Sequence, residues 1–225
     1  KNGIRVIVLT GDNVEVTKCI CDKVGIKSPQ IVIGSQIDKL QDIAVKRLLK
    51  KTNIFAKLSP IQKARIVRLL RNTGNVVGYM GDGVNDAPSL HNADVGICVN
   101  TATDIAKEAS DIILLEKNLK VVFNGVVEGR KVYGNIIKYM KMALSSDFGD
   151  VFSILIASIF LPFLPITPVQ LLVQGLLYDF GQFTLPFDNV DEEYLQRPQK
   201  LSIKSLKQFM LFMGPVSSIL DIIIF

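Results

Sequence analysis

Three short clusters of oxygen and nitrogen groups in this sequence are built for chemistry on a charged ligand. Gly81-Asp82-Gly83-Val84-Asn85-Asp86 sets two carboxylates and an amide within five residues, and the glycines on both sides of Asp82 permit a tight turn and close backbone approach. Such an oxygen-rich turn suits a hard cation. Mg²⁺ fits first, because it is usually held by one or two carboxylates plus a substrate phosphate. Thr10-Gly11-Asp12 offers a hydroxyl and backbone N–H groups to a phosphate oxygen. Ser59-Pro60-Ile61-Gln62-Lys63 places an ammonium in the first turns of a helix, where the backbone dipole also favours an anion. Thr10-Gly11-Asp12 alone would also serve as an ordinary polar turn. The three clusters in this order, each behind a strand, point to phosphate chemistry with a divalent metal.

A second set of carboxylates lies in apolar surroundings. The 28 residues between Asp150 and Asp179 contain no Asp, Glu, Lys, Arg or His, a stretch longer than the roughly 20 residues that cross a bilayer. Asp147, Asp150 and Asp179 fall within the predicted spans, where a carboxylate costs at least about 2.5–3.5 kcal/mol. No Lys or Arg in the spans pairs with them, so they are protonated or they hold a cation; we expect a transported cation, against an interfacial or structural role. Asp147 and Asp150, three apart, share a helical face. Gln182 shares a face with Asp179, and Gly175 loosens the same helix so that carbonyls can join the site. Ser146 is a weaker candidate, because a helical serine more often bonds its own backbone.

These groups need elements to position them. The chain has 225 residues, 48% hydrophobic and 21% charged, with mean hydropathy +0.33, which excludes a disordered chain, a collagen-like repeat and a disulfide-stapled miniprotein. Three cysteines, Cys19, Cys21 and Cys98, with no CxxC pair read as buried small hydrophobes. The lone His91 reads as a surface or capping residue, and Asp188 to Glu193 as a solvated loop. Strands are predicted at Ile4–Leu9, Ile31–Ile33, Ile54–Ala56, Val76–Met80, Val95–Val99 and Ile112–Leu115, following apolar, β-branched runs. Helices are predicted over Val14–Val24, closed by Gly25; over Asp38–Lys50; and from a Ser59 N-cap to about Arg71. Between the first helix and the second strand lies a Ser28-Pro29 connector. This alternation predicts an α/β class, a doubly wound parallel sheet over residues 1–118, with working residues at the carboxyl ends of strands. Leu119 to Met142 keeps helical spacing with no break, so residues 119–140 are expected to form a stalk leading into an all-α transmembrane region, 141–225. Its spans are expected at about 141–161, 167–187 and 209–225, with a turn forced by Pro162, Pro165 and Pro168. The net charge of +5 is better explained by Lys and Arg flanking the spans than by nucleic acid, and it places the α/β part in the cytoplasm.

TGD, SPxQK and MGDGVNDAPSL together resemble the phosphorylation domain of P-type cation-transporting ATPases, a branch of the haloacid-dehalogenase-like group. The resemblance implies that Thr10 and Asp12 contact a phosphoryl group, that Lys63 neutralises it, that Asp82 ligates the catalytic Mg²⁺, and that Asn85 and Asp86 complete the network. ATP would be the substrate. The aspartate nucleophile of an Asp-Lys-Thr-Gly-Thr segment does not occur in this sequence. The resemblance therefore expects upstream partners in the same chain: that segment, the nucleotide-binding and actuator domains, and membrane helices 1–4. Without them no hydrolysis is expected. The runs LLVQGLLYDFGQFTLPFDNVDEEYLQR and FMLFMGPVSSILDI resemble the bacterial magnesium-translocating branch, implying multi-pass placement in the plasma membrane and ATP-driven Mg²⁺ influx. Asp147, Asp150 and Gly175 stand where that branch is expected to have Asn. A calcium pump, a membrane-anchored phosphatase of the same superfamily and a non-enzymatic channel subunit are the alternatives.

Overall fold

The computed structural model describes residues 3–26 and 30–224, and the Ser28-Pro29 connector lies outside them. The chain forms two compact units, Ile4–Val122 and the residues from Phe123 onward, the latter joined by the N-terminal Gly3.

In the first unit β1 (Val8–Leu9) leads through Thr10-Gly11-Asp12 into α1 (Val14–Lys23). Asn13 caps that helix by accepting the Val16 N–H at 2.8 Å. Gly25, at φ +73°, ends it in a left-handed turn in which the Ile26 N–H reaches the Cys21 carbonyl. β2 (Ile31–Ile33), α2 (Gly34–Asp38), α3 (Asp42–Lys51), β3 (Ile54–Ala56) and α4 (Pro60–Arg71) follow, then β4 (Gly78–Met80), α5 (Ala87–Asn92), β5 (Val95–Val99), α6 (Asp104–Glu108) and β6 (Ile112–Leu114). Among the described residues all ladders are parallel, in two three-stranded sheets ordered β1-β3-β2 and β4-β5-β6. Helix α4 serves both cores, sending Ile66 and Leu69 to one and Val67 to the other; Leu9 packs against each.

Several expectations need correction. The Ile4–Leu9 run pairs only at Val8 and Leu9, because its partner β3 is three residues long, and Ile4 and Val6 stay exposed. The expected helix over Asp38–Lys50 starts four residues later, as α3 at Asp42, and a separate short helix, α2, ends at Asp38 before it. Arg65, reaching across from α4, donates to the Ile37 and Leu40 carbonyls at 3.1 and 2.8 Å and to Asp42 at 2.7 Å, and so stabilises the break. Cys21 and Cys98 are buried as expected, but Cys19 is exposed.

The second unit is helical. α7 runs from Leu119 to Phe160, and among the described residues it is the one helix long and apolar enough, by length and composition, to cross a membrane. α8 (Pro168–Gln182) stops five residues short of the expected end of the second span, and a 3₁₀ turn, Leu185–Phe187, follows it. α9 (Glu192–Gln196) and α10 (Ile203–Ile224) complete the unit. α7 and α10 meet at Gly149 and Gly214, where the Ser218 hydroxyl donates to the Gly149 carbonyl at 2.8 Å. The 186–195 segment straps α7. Asn135 donates to the Pro186 and Asp188 carbonyls, Lys138 pairs with Asp188 at 2.6 Å, Arg130 donates to the Leu195 carbonyl, and Val190 rests on Gly134. Asp188 is thus a docking group at the start of what reads in sequence as a free acidic loop.

Candidate functional site

The α/β unit places its chemistry where β1 and β4 end. After β1 the chain is held against the end of β3, with the Thr10 N–H on the Phe55 carbonyl and the Leu58 and Lys57 N–H groups on Thr10 and Asp12 carbonyls. Lys57 takes a left-handed backbone (φ +51°) to make that crossing, a conformation that costs an L side chain on the order of 1 kcal/mol. The Thr10 hydroxyl donates to Asp12 Oδ2 at 2.9 Å and accepts the Asp12 N–H at 3.1 Å. Gly11 lies between them on the same turn.

Ser59 caps α4 in a reciprocal box. Its hydroxyl accepts the Gln62 N–H at 3.3 Å, and Gln62 Oε1 accepts the Ser59 N–H at 2.8 Å. The box fixes the first turn of the helix that carries Lys63. Lys63 Nζ donates to Asp86 Oδ1 at 2.8 Å, with side chains only 14% and 13% exposed. The phenol of Tyr79, from β4, donates to the same oxygen at 2.7 Å. Burial pushes the Asp86 carboxyl up, but hydrogen bonds from Lys63 and Tyr79, the Lys63 charge and the Gly83 N–H outweigh it and hold the group below the ordinary carboxylate value. The Tyr79 phenol is driven well up, by burial first and then by the bond and negative charge of Asp86. Gly81 is obligatory here, since a Cβ on it would lie 2.5 Å from the Asp86 Cβ.

Asp82 and Asn85 stand exposed on the same turn. Asp82 lies 3.7 Å from Lys117 Nζ, beside an open cavity of about 400 Å³ lined by Met80, Gly81, Asp82, Val99, Leu114 and Lys117. No three His, Cys, Asp or Glu among the described residues form a ready-made metal cage. Two carboxylates with a solvent-open side are nevertheless the donor set Mg²⁺ takes when waters and phosphate oxygens complete its shell. Asp82 and Asp86 fit that ion.

In the helical unit Asp147 and Asp150 lie on successive turns of α7, as their spacing predicts. Asp150 Oδ1 accepts from Gln174 of α8 at 3.1 Å, and Tyr178 lies within electrostatic reach of Asp147 and beside Ser146. α8 therefore turns its 174–178–182 face to α7. Asp179, about 100° further round, is exposed, and Gly175 has nothing within 4 Å of where a side chain would begin. The structure does not gather Asp147, Asp150 and Asp179 into one cluster. Gln182 is 7% exposed and lies one turn from Tyr178, with its amide within hydrogen-bonding reach of that phenol. Sequence reasoning passed over Tyr79, Lys117 and Gln174. The four-residue spacing of Gln170, Gln174, Tyr178 and Gln182 is the signal that would have found the last.

Comparison with known proteins bears on the family and the fold. Residues 1–94 match the haloacid dehalogenase-like hydrolase family, and residues 163–225 match the cation transporting ATPase C-terminus family. The whole chain aligns at 54% identity with the magnesium-transporting ATPase, P-type 1, of Escherichia coli K12 and with that of Salmonella typhimurium, in each case over 25% of the relative. It aligns at 34% identity with calcium-transporting ATPase 1 of Bacillus cereus, over 26% of that protein. The chain thus spans about a quarter of the length of the curated relatives it matches. A zinc-transporting PIB-type ATPase shares the fold over 80% of this chain and 24% of its own, with TM-score 0.53 at 24% identity. Both family matches, the full-length alignments and the strand-end clusters that carry Asp82, Asp86 and Lys63 lead to one assignment: the chain belongs to the P-type cation-transporting ATPases.

Proposed function

We propose that this chain forms the later part of a phosphorylation domain and the following membrane helices of an ATP-driven pump that brings Mg²⁺ across the plasma membrane. The observation that carries the catalytic half is the Lys63–Asp86 pair, which joins two motifs 23 residues apart at the carboxyl end of β4. In this reading ATP transfers its γ-phosphoryl group to an aspartate carboxylate outside these residues. The bond from phosphorus to the β–γ bridging oxygen breaks as the carboxylate–phosphorus bond forms, ADP leaves, and water later cleaves the acyl phosphate. Thr10 and the Gly11 and Asp12 backbone orient the phosphoryl oxygens, Lys63 offsets their charge, and Asp82 and Asp86, with Asn85, hold the metal side. Bound Mg²⁺ would neutralise charge on the transferring group. β1 and β4 each pair on one side only among the described strands, which leaves room for a strand bearing the nucleophile.

The cargo half takes its candidates from Asp147, Asp150, Gly175, Asp179 and Gln182 of the helical unit, of which Asp150 meets α8 while Gly175 and Asp179 stand exposed, with the α/β unit on the cytoplasmic side. The names of the relatives quoted above favour Mg²⁺ over Ca²⁺. Extra carboxylates at Asp147 and Asp150 are what a Ca²⁺ carrier would also use. The test is ATPase activity of the full-length pump titrated with Mg²⁺, Ca²⁺ and Mn²⁺ alongside isotope flux. Asp82→Asn is expected to lower Mg²⁺-dependent phosphorylation about a hundredfold. Asp179→Asn is expected to weaken the cation's effect on turnover while phosphorylation by inorganic phosphate persists. Flux that follows Ca²⁺ alone, or an Asp179→Asn pump with unchanged cation affinity, would refute the reading.

A further inference from the structure

We propose that the Tyr79 hydroxyl is a positioning group for phosphoryl transfer, holding Asp86 in place when Lys63 turns to the phosphate; this rests on the pump reading above. A buried phenol needs a hydrogen-bond partner. Tyr79 is 8% exposed, its ring lies in the core with Leu90, Cys98 and Val67, and its hydroxyl meets Asp86 Oδ1 at 2.7 Å. Lys63 meets the same oxygen at 2.8 Å. Both donors on Oδ1 leave Oδ2 toward the glycine turn, 3.0 and 3.7 Å from where Cβ atoms would sit on Gly81 and Gly83. That is the oxygen available to a cation.

The two donors differ in kind. Lys63 is a charge on a flexible four-carbon stem with three N–H groups, so it can follow a phosphoryl oxygen. Tyr79 is a rigid ring fixed in a strand whose register sets it opposite Gly96. When Lys63 shifts its charge to the phosphate, the phenol remains to keep Asp86 from rotating. A phenol that merely found the nearest acceptor would leave catalysis untouched, and the two cases separate experimentally.

The experiment uses the full-length pump with Tyr79→Phe, Asp86→Asn and the double variant, each checked for folding by size exclusion in detergent. Three quantities are measured: the phosphorylation rate from ATP, the half-saturating ATP concentration, and the Mg²⁺ concentration at which orthovanadate protects the pump from trypsin. The last reads binding without turnover. Tyr79→Phe is expected to slow phosphorylation about tenfold, the worth of one hydrogen bond to a charged group, with ATP half-saturation unchanged. It is expected to raise the protecting Mg²⁺ concentration about threefold or more, and to add no loss of protection in the Asp86→Asn background. Wild-type values for Tyr79→Phe, a loss confined to ATP half-saturation, additive losses in the double variant, or a Tyr79→Phe chain that does not fold each overturn the proposal. An unmodified pump that forms no phosphoenzyme instead refutes the pump reading, and this proposal falls with it.

Discussion

Gly149 offers a prediction whose sign is decided by geometry against propensity. In a helix interior, Gly→Ala is ordinarily stabilising by about 0.8–1.0 kcal/mol, because glycine loses more backbone freedom on folding. On α7 two glycines, Gly125 and Gly129, have nothing within 4 Å of a built Cβ, so alanine there meets no obstacle. At Gly149 the Cβ would lie 2.3 Å from Ser217 Oγ and 2.9 Å from the Gly214 carbonyl oxygen. The serine can rotate. The carbonyl belongs to the backbone of α10 and can withdraw only if that helix moves. Overpacking of this kind costs typically 1–3 kcal/mol. Moving α10 also stretches the 2.8 Å bond from Ser218 to the Gly149 carbonyl, worth on average about 0.6 kcal/mol between helices in a membrane. The sum exceeds the propensity gain, so Gly149→Ala is expected to destabilise by about 1–2 kcal/mol while Gly125→Ala stabilises by up to about 1 kcal/mol. Thermal unfolding of the detergent-solubilised protein checks this, at roughly 2–4 °C per kcal/mol for a chain of this size. A Gly149→Ala melting temperature equal to or above that of Gly125→Ala refutes the close crossing of α7 and α10.

The remaining predictions concern the strap on α7 and the cap of α4. Asp188 is held below the ordinary carboxylate value of 3.8 by its hydrogen bond to Lys138 and then by the Lys138 charge. Its stabilising effect is therefore complete above that ordinary value and is lost as pH falls through the lower folded one. Protection of residues 186–195 against hydrogen exchange, taken relative to the intrinsic rate at each pH, is expected to fall as the pH is lowered below 3.8, the ordinary value, and at neutral pH in Lys138→Gln; equal protection in the variant and the parent would remove the strap. Ser59→Ala deletes one arm of the capping box and is expected to cost about 1 kcal/mol, measured by chemical denaturation. A loss below about 0.3 kcal/mol, outside that range for a lost cap, would show that Gln62, which also bonds Asp38 at 2.7 Å and the Gly34 carbonyl at 3.2 Å, secures the turn by itself.

What the sequence made legible was local. Ile31–Ile33, Ile54–Ala56 and Val95–Val99 were read with their bounds as found, because each is a short β-branched or apolar run between turn residues. The Ser59–Gln62 box and the Gly25 cap were legible because both are closed within a few residues. The break between α2 and α3 was not, since the apolar spacing runs on through Leu40 and the two ends are secured by Arg65, more than 20 residues away. The site divides the same way. A Gly-Asp-Gly-x-Asn-Asp run names the carboxylates, because only glycine admits the Asp86 side chain beside Gly81. It does not say which oxygen of Asp86 lies toward the glycine turn. That depends on Lys63 and Tyr79 converging on Oδ1 from a helix and a strand. In the helical unit the charges were legible because they interrupt long apolar runs, but their grouping was not. Asp179 and Tyr178 are neighbours in sequence and about 100° apart around α8, so which one faces Asp147 is set by how α8 packs on α7. Residue type thus selects the chemistry, and the packing of distant elements selects the atom that performs it.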